Sequence, residues 1–324
     1  MLLKDKIYGA FGVNDPVIRD LLKCEDLTRL KHVSQSGLAC FGLGYATDYT
    51  RFEHSLGVML LLRRLGADLE EQVAGLLHDS SHTAFSHVID HAFGNTDKEN
   101  YADTKLGEFI ANSKIGKILK KHGFDSERIS GYEEHGYFTL LEMPIPDLCA
   151  DRVDNGLRYM SHAGIDASRC VHDMRAEEGR IVFASEEAAG DFAYGYLKGT
   201  KEDWGNPEAG LRAYFLSEAL RRGIGSNKIR IEDFYSSTEE EIIKELRKKK
   251  DASIRNNLSQ IGKDLRFRLD GKGRIRIKSK VRYVDPVFIK GGERYRLSSV
   301  DKRYKKAVSE EIRILRKGFR IRIG

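Results

Sequence analysis

The chain has 324 residues, of which 40% are apolar and 32% are charged, and its formal net charge is +6. This composition is typical of a globular protein with a sizeable core and excludes a disordered or fibrous chain. The charge is unevenly divided: residues 244–324 hold 27 Lys and Arg against 9 Asp and Glu, whereas residues 1–243 hold 28 against 40. This division predicts an acidic body joined to a basic region that meets phosphate-bearing partners or docks on the acidic surface of its own or a neighbouring subunit.

The sequence shows no pattern typical of a signal peptide, a membrane span or a cysteine framework. The first twelve residues are charged early and lack the apolar stretch of a signal peptide, and the longest Leu-rich stretch, 58–62, is far too short to span a bilayer. We therefore expect a cytoplasmic protein without membrane contact. The four cysteines lack CxxC spacing, which argues against a zinc ribbon or a disulfide framework.

Helical periodicity dominates the chain up to about residue 180 and predicts an all-α body. The predicted helices are two short ones within 15–35 and single ones over 48–66, 69–77, 82–93, 104–122, 133–143 and 146–160. A Gly-rich loop is predicted at 37–47 and a turn at 94–98.

The pattern changes in the second half of the chain. Residues 180–184 predict a strand, and further helices are predicted over 186–198, 207–222 and 238–250. Basic and apolar residues alternate over 266–283 around a turn signal at 270–273, which predicts a β-hairpin with one cationic face. We therefore expect a mainly α protein, with a helical domain over 1–232 (core 15–170) and a smaller basic α+β region over 233–324.

Histidines are concentrated in one part of the chain. Five of the ten lie within residues 54–91, where an even distribution would place about one. A single histidine on an apolar helix face is usually a hydrogen-bonded core residue, but a cluster of five favours metal binding and acid–base chemistry. His78 and Asp79, adjacent at the end of an apolar helix, can both turn towards one ion. Asp151 is the best candidate for a further ligand, because it lies early in a predicted helix beside the small Ala150.

Three sequence blocks stand in a specific order and spacing: TRFEHSLGV at 50–58, LLHDSSHTAFSH at 76–87 and DLCADRVD at 147–154. Together they resemble the HD-domain superfamily of metal-dependent phosphohydrolases, particularly its dNTP triphosphohydrolase branch. The resemblance covers about residues 15–170 and implies an HD helical bundle. Fingerprints of P-loop kinases, Rossmann dehydrogenases and serine hydrolases do not occur in the sequence.

The resemblance implies a set of site residues. One divalent ion, Mn, Mg, Fe, Co or Zn, would be held by His54, His78, Asp79 and Asp151. Arg51 matches a family arginine that approaches the substrate phosphates, a task that suits its permanently charged fork.

Other positions match family residues that contact substrate or move protons. His82 and His87 match two histidines beside the metal that are implicated in proton transfer or phosphate contact, whereas for His91 we prefer a helix-capping role. Gln35 matches a glutamine that faces the sugar. Asn155 and Tyr159 occupy the two positions where dNTPases commonly place a tyrosine and an aspartate that contact the nucleotide.

The sequence departs from the family at one further point. Relatives usually carry a His-Glu pair after the second block, and the corresponding residues 97–109 contain no histidine. Asp103 or Glu99 would have to supply the carboxylate. The metal ligands are intact, whereas the nucleotide contacts are altered. The sequence therefore supports phosphohydrolase activity in general more strongly than dNTPase activity in particular.

Three functions therefore remain open. The first is hydrolysis of a dNTP to deoxynucleoside and triphosphate. The second is an HD nucleotidase or phosphodiesterase acting on a nucleoside monophosphate or a signalling nucleotide, and the third is a nucleic-acid-binding regulatory protein with a degenerate HD site. The basic C-terminal region would dock on the acidic body, bind a nucleotide effector or bind nucleic acid, and the resemblance implies a homo-oligomer.

Overall fold

Helices build most of the molecule in the computed structural model, which describes residues 1–93, 100–248, 250–262 and 264–324. The predicted mainly α architecture with a smaller α+β C-terminal region is confirmed. The α-helices are α1 (Pro16–Leu21), α2 (Glu25–Thr28), α3 (Arg51–Arg64), α4 (Leu69–Leu77), α5 (Val88–Ala92), α6 (Leu106–Asn112), α7 (Lys114–Lys121), α8 (Ser126–Ser130), α9 (Tyr132–His135), α10 (Ala150–His162), α11 (Ser168–Asp173), α12 (Glu186–Gly199), α13 (Pro207–Gly225), α14 (Asp233–Ser236), α15 (Glu239–Lys248), α16 (Ala252–Ser259), α17 (Leu297–Val300) and α18 (Lys302–Lys317). In the described part of the chain, no helix is long and apolar enough to cross a membrane.

The strands form three small sheets. They are β1 (Leu2–Asp5), β2 (Gly9–Gly12), β3 (Met174–Glu177), β4 (Arg180–Phe183), β5 (Phe267–Leu269), β6 (Ile275–Ile277), β7 (Val287–Lys290), β8 (Glu293–Arg296) and β9 (Phe319–Ile323). β1 pairs with β2, the second sheet has the order β3-β4-β7-β8, and the third has the order β5-β9-β6. β4 and β7 run parallel with Phe183 opposite Phe288, so the second sheet joins the helical body to the C-terminal region.

The β-hairpin predicted over 266–283 is wrong, because its two strands do not pair with each other. Gly273 N donates to the Asp270 carbonyl over 2.7 Å, so the turn forms, but β5 and β6 each pair antiparallel with β9, which lies between them. The FRIRI sequence of β9 has the same basic–apolar alternation as its two neighbours, so it fits the sheet equally well. Register places Arg268 opposite Arg322 and Arg276 opposite Arg320, all exposed.

Several predicted helices are shorter than expected. The 82–93 segment is helical only in α5, because turns occupy the residues before it, where Phe85 and Ser86 have positive φ angles. The 133–143 segment is helical only to His135 in α9. The helix predicted from Pro146 begins at Ala150, after Cys149 in an extended conformation. The turn predicted at 94–98 lies outside the described residues.

Two large apolar cores lie under the helices. The first packs α3, α4, α10 and α12 together. The second contains buried residues of α5, α13, α15 and α16 with Ile277 of β6 and Ile321 of β9. Residues on both sides of position 232 therefore share a core, and the apolar face of the β5-β9-β6 sheet is covered by the helical body.

Candidate active site

Three helices bring the predicted metal ligands together. His54 lies in the first turns of α3, whose start is fixed by a capping box between Thr50 and Glu53. His78 and Asp79 follow the end of α4, and Asp151 lies in the first turn of α10. The close approach of these helices needs small residues at their contacts.

Gly57 and Gly75 provide these contacts. A Cβ atom at Gly57 would come within 2.1 Å of both Asp154 Oδ1 and Arg158 Nη2 on α10. One at Gly75 would come within 2.4 Å of a Leu62 methyl carbon on α3. Larger residues would push the helices, and with them the ligands, apart.

The ligand atoms converge on one point. His54 Nε2 lies 2.9 Å from Asp151 Oδ1 and 3.2 Å from His78 Nε2, and these three side chains offer ligand atoms within 4.8 Å of one another. Asp79 adjoins them, with Oδ1 3.6 Å from His78 Nε2 and Oδ2 3.8 Å from His54 Nε2. The Asp151 side chain is 34% exposed, so the cluster opens towards solvent on one side.

Hydrogen bonds behind the cluster orient both imidazoles. His78 Nδ1 lies 2.8 Å from the Gly75 carbonyl, and His54 Nδ1 lies 2.7 Å from Asp154 Oδ2. Because both partners accept, each Nδ1 carries a proton, and the Nε2 lone pair faces the cluster when the ring is neutral. Asp154 also accepts from Tyr8 and Arg158. Sequence reasoning missed the role of Asp154, although its place one helical turn after Asp151 was a usable signal.

The cluster attracts positive charge. Burial alone would lower the pKa of His78, but the carboxylates of Asp79 and Asp151 outweigh it and raise that pKa to about 10. Burial likewise opposes ionisation of Asp151, yet its bonds to His54 and His78 hold its pKa well below the usual range. Two imidazole nitrogens and two carboxylates are a donor set that suits a divalent transition metal or Mg²⁺, so these residues fit the ion that the sequence predicts.

Arg51 is buried beside the ligands. Its Nη1 donates to Asp79 Oδ2 over 2.8 Å and its Nε donates to Ser86 Oγ over 3.0 Å. Its Nη2 is buried and has no hydrogen-bond partner among the described residues. Burial would raise the pKa of Asp79, but Arg51 and the neighbouring histidines hold it far below the usual range. An arginine nitrogen is thus left available beside the cluster.

His82 and His87 stand edge to face beside Asp79, with ring centroids 5.1 Å apart. His82 Nε2 lies 3.3 Å from Asp79 Oδ1, and burial together with the charge of Arg51 holds the His82 pKa well below its ordinary value, so this ring is neutral at pH 7. His87 is 31% exposed, and its Nδ1 lies 3.3 Å from Asp90 Oδ2. One buried neutral imidazole and one accessible imidazole therefore flank the cluster.

A cleft of about 440 Å³ opens on the cluster. Its walls include Arg51, both flanking histidines, His91 and Asp103, the last of which is one of the two carboxylates considered as replacements for the family's His-Glu pair. Glu99, the other, lies outside the described residues. His91 therefore faces the cleft, although sequence reasoning favoured a capping role.

The predicted nucleoside contacts are only partly in the cleft. Gln35 Nε2 donates to Asn155 Oδ1 over 3.0 Å, Asn155 Nδ2 donates to Asp151 Oδ1 over 2.9 Å, and both side chains line the cleft. Tyr159 does not line it: the side chain is buried, and its hydroxyl donates to Glu202 over 2.8 Å. The helical pitch of α10 carries position 159 two turns away from the cluster and into the core beside Trp204.

Sequence reasoning missed two parts of the cleft wall. One is Asp203, which is 8% exposed and whose Oδ2 has no hydrogen-bond partner in the described ranges. The other is the segment 278–282 from the basic C-terminal region. Both lie far along the chain from the predicted metal ligands, and the fold brings them to the same cleft.

The similarity of the chain to known proteins agrees with the geometry of this site. Residues 51–158 match the HD domain family. The chain is 34% identical to the uncharacterized protein YdhJ of Bacillus subtilis over 100% of this chain and 99% of that one. It is 38% identical to the metal-dependent phosphohydrolase cns2 of Cordyceps militaris over 64% of this chain and 61% of that one.

More distant likenesses are structural or partial. A phosphohydrolase crystal structure from Bacteroides thetaiotaomicron superposes with a TM-score of 0.74 at 14% identity, over 99% of this chain and 98% of that one. The chicken (Gallus gallus) deoxynucleoside triphosphate triphosphohydrolase SAMHD1 is 28% identical over 144 residues, which are 38% of this chain and 23% of that one. With its ligand cluster and its sequence matches, the chain belongs to the HD family of metal-dependent phosphohydrolases.

Proposed function

We propose that this phosphohydrolase cleaves nucleotides, and that its substrate is a deoxynucleoside triphosphate, hydrolysed to deoxynucleoside and triphosphate. The observation that carries the proposal is the buried Nη2 of Arg51, which lacks a partner among the described residues and lies beside the ligand cluster on the cleft wall. A buried guanidinium nitrogen without an acceptor is costly, and a phosphate oxygen would satisfy it with a charge-assisted hydrogen bond.

The reaction needs a Lewis acid, a charge clamp and a proton carrier. A divalent ion bound by His54, His78, Asp79 and Asp151 would polarise the phosphate and lower the pKa of a water ligand. Arg51 then binds a phosphate oxygen through Nη2 while Asp79 and Ser86 hold the rest of its fork.

Proton transfer is assigned to the two flanking imidazoles. His82 is buried and neutral at pH 7, whereas His87 is partly exposed and can exchange its proton with solvent. In the proposed step neutral His82 accepts a proton from the attacking water, and His87 donates a proton to the leaving 5′ oxygen as the bond to phosphorus breaks. Asp103 lines the same cleft as His87, and we assign it the place of the missing family carboxylate.

The sugar side of the substrate is assigned to Gln35 and Asn155. Gln35 Oε1 is buried and has no partner in the described part of the chain, so it can accept a hydrogen bond from a sugar hydroxyl. Asn155 holds the Gln35 amide in place and is itself fixed by the Tyr49 hydroxyl over 2.8 Å. The similarity to cns2 supports phosphohydrolysis, and the partial similarity to SAMHD1 supports the triphosphate substrate.

One observation favours a second candidate, a nucleotidase that acts on a nucleoside monophosphate. The dNTPase branch commonly carries a nucleotide-contacting aspartate at the position of Tyr159, and here that side chain is buried on Glu202. A site without this contact lacks part of the dNTPase pattern of nucleotide recognition, which leaves room for a different nucleotide substrate. Homo-oligomer formation stays a prediction, to be measured by analytical ultracentrifugation.

A product assay tests the proposal. The protein is incubated with deoxynucleoside mono-, di- and triphosphates and their ribonucleotide counterparts in Mn²⁺, Mg²⁺, Fe²⁺ or Co²⁺, and the products are resolved by chromatography. Release of inorganic triphosphate supports the dNTPase assignment, and release of orthophosphate from monophosphates supports the nucleotidase.

Variants tie the activity to the ligand cluster. Asp79→Ala should abolish both metal binding and turnover, whereas the matched control Asp191→Ala, an exposed aspartate paired with Arg169, should retain both. Full activity in Asp79→Ala or in metal-stripped protein would refute the assignment. Absence of hydrolysis for every nucleotide, together with steeply salt-dependent nucleic-acid binding, would replace it with a regulatory role.

A further inference from the structure

The basic C-terminal region reaches the metal centre through one short segment. Residues 278–282, sequence KSKVR, line the same cleft as the ligand cluster, and we call this segment the basic strap. It comes from the part of the chain with the large positive charge, whereas the metal ligands come from the acidic body. The cleft is therefore built from both halves of the charge division.

The basic strap is anchored at both ends. On one side Ile277 is buried and belongs to β6, where it pairs with Phe319. On the other side Val284 is fully buried, and its carbonyl accepts a hydrogen bond from the Tyr304 hydroxyl. Asp285 N donates to the Pro146 carbonyl over 3.0 Å. Both anchors rest on the helical body or on the packed C-terminal region, so the strap is held over the cleft.

Lys278, Lys280 and Arg282 alternate along the strap, and all three line the cleft. The charge of Lys280 acts on the Asp103 carboxylate, which also senses His87, Asp79 and Arg51. Lys280 is therefore within electrostatic reach of this carboxylate. The charge of Arg282 acts on the Tyr196 ring, which lines the wall on the side of Arg152.

Two arginines of the acidic body, Arg51 and Arg152, line the cleft, and most of their donors bind groups within the protein. Arg152 donates to Glu142 Oε1 over 3.0 Å and to the carbonyls of Asp147 and Met143. Arg51 retains one nitrogen without a partner among the described residues, enough for a single phosphate. A triphosphate carries about four negative charges at neutral pH and needs further donors when water is displaced from it.

We propose that Lys278, Lys280 and Arg282 bind the β- and γ-phosphates of a nucleoside triphosphate whose α-phosphate lies at Arg51 and the metal ligands. This assignment rests on the proposed function, and it makes the basic strap the element that selects the length of the phosphate chain. A monophosphate would reach Arg51 and the ligand cluster without the strap, so loss of strap cations would affect it much less.

Charge-removing variants test this selection. Lys280→Gln should raise KM for the triphosphate about tenfold and leave KM for the corresponding monophosphate within about threefold, because one charge-assisted contact is lost only with the longer chain. Lys280→Arg should restore most of the affinity. Lys272→Gln is the matched control, since it removes the same charge from an exposed turn of the same region, away from the cleft. Thermal unfolding of each variant checks that the fold is retained.

A binding measurement separates this proposal from the proposed function. Calorimetric titration of inorganic tripolyphosphate into the protein at saturating Mg²⁺ should show affinity falling about tenfold in Lys280→Gln and further in the triple variant with Lys278→Gln and Arg282→Gln. If no nucleotide is hydrolysed but this loss is seen, the proposed function fails and the strap assignment stands. Equal tripolyphosphate affinity in wild type, Lys272→Gln and the triple variant would overturn the strap assignment, whatever the enzyme hydrolyses.

Discussion

Glu239 offers a sharp test of how the C-terminal region supports the cleft. This first residue of α15 is 2% exposed, and its carboxylate accepts hydrogen bonds from Ser34 N, from Ser34 Oγ and from Phe85 N over 2.9 to 3.2 Å. The Ser34 carbonyl accepts from Ser86 Oγ over 2.6 Å, and Ser86 Oγ holds Arg51 Nε. The contact thus links α15 to Arg51 through Ser34 and Ser86.

The perturbation is Glu239→Gln, which keeps the shape and an accepting oxygen but removes the charge. Burial raises the pKa of Glu239 to about 7 from a usual value of 4.5. A carboxyl with a raised folded-state pKa makes the protein less stable as pH rises from the unfolded-state to the folded-state value. A rise of this size lowers the unfolding free energy of the wild type by about 2 to 3 kcal/mol between pH 5 and pH 8.

Urea unfolding at pH 5 and pH 8 measures this cost. Relative to wild type, the glutamine variant should gain about 2 to 3 kcal/mol of unfolding free energy between these two pH values. Glu240→Gln, at the exposed neighbouring position, serves as the control and should show a much smaller change. If the two variants show the same pH dependence, Glu239 does not titrate as a buried carboxyl and the reasoning is wrong.

Three further predictions concern the cleft. Asp154→Asn should lower Mn²⁺ affinity about 10- to 100-fold by weakening the bond that orients His54, and calorimetry that shows unchanged affinity would contradict this. Asp203→Asn should stabilise the protein above pH 6 by about 2 kcal/mol, because burial raises the pKa of Asp203 to about 6; urea midpoints that favour the wild type at pH 8 would exclude it. Metal binding at pH 7.5 should release at least one proton, because the pKa of His78 is raised to about 10 without the ion. Calorimetry in buffers of different ionisation enthalpy measures this release, and a binding enthalpy that is the same in every buffer would contradict the prediction.

The parts of the site that sequence could predict are those carried by local spacing. His54, His78 and Asp151 converge as the family resemblance implies, because each lies at a defined position in a helix or directly after one. Asp79 adjoins them, and one of its oxygens is held by Arg51. Arg51 and a bound ion would therefore compete for the Asp79 carboxylate. Local spacing could not show this competition, because it depends on the distance between α3 and α4.

The parts that sequence could not predict depend on distant chain segments. β9 enters between β5 and β6 although a short turn joins those two strands, since alternation specifies a face but not a partner. The segment before α5 stays irregular because Phe85 N donates to Glu239, more than 150 residues away. Asp203 and the basic strap likewise reach the cleft from distant positions in the chain, which local spacing does not predict.

The central position of β9 sets an order of events during synthesis. Every predicted metal ligand has been made once Asp151 is translated, but β6, which anchors one end of the strap, obtains its neighbour only when residue 323 has left the ribosome. At ordinary translation rates about 10 to 30 s separate these points. A nascent chain would therefore hold its ion before it can grip a polyphosphate, and the ribosome-bound intermediate would be loaded with metal while still unable to select substrate.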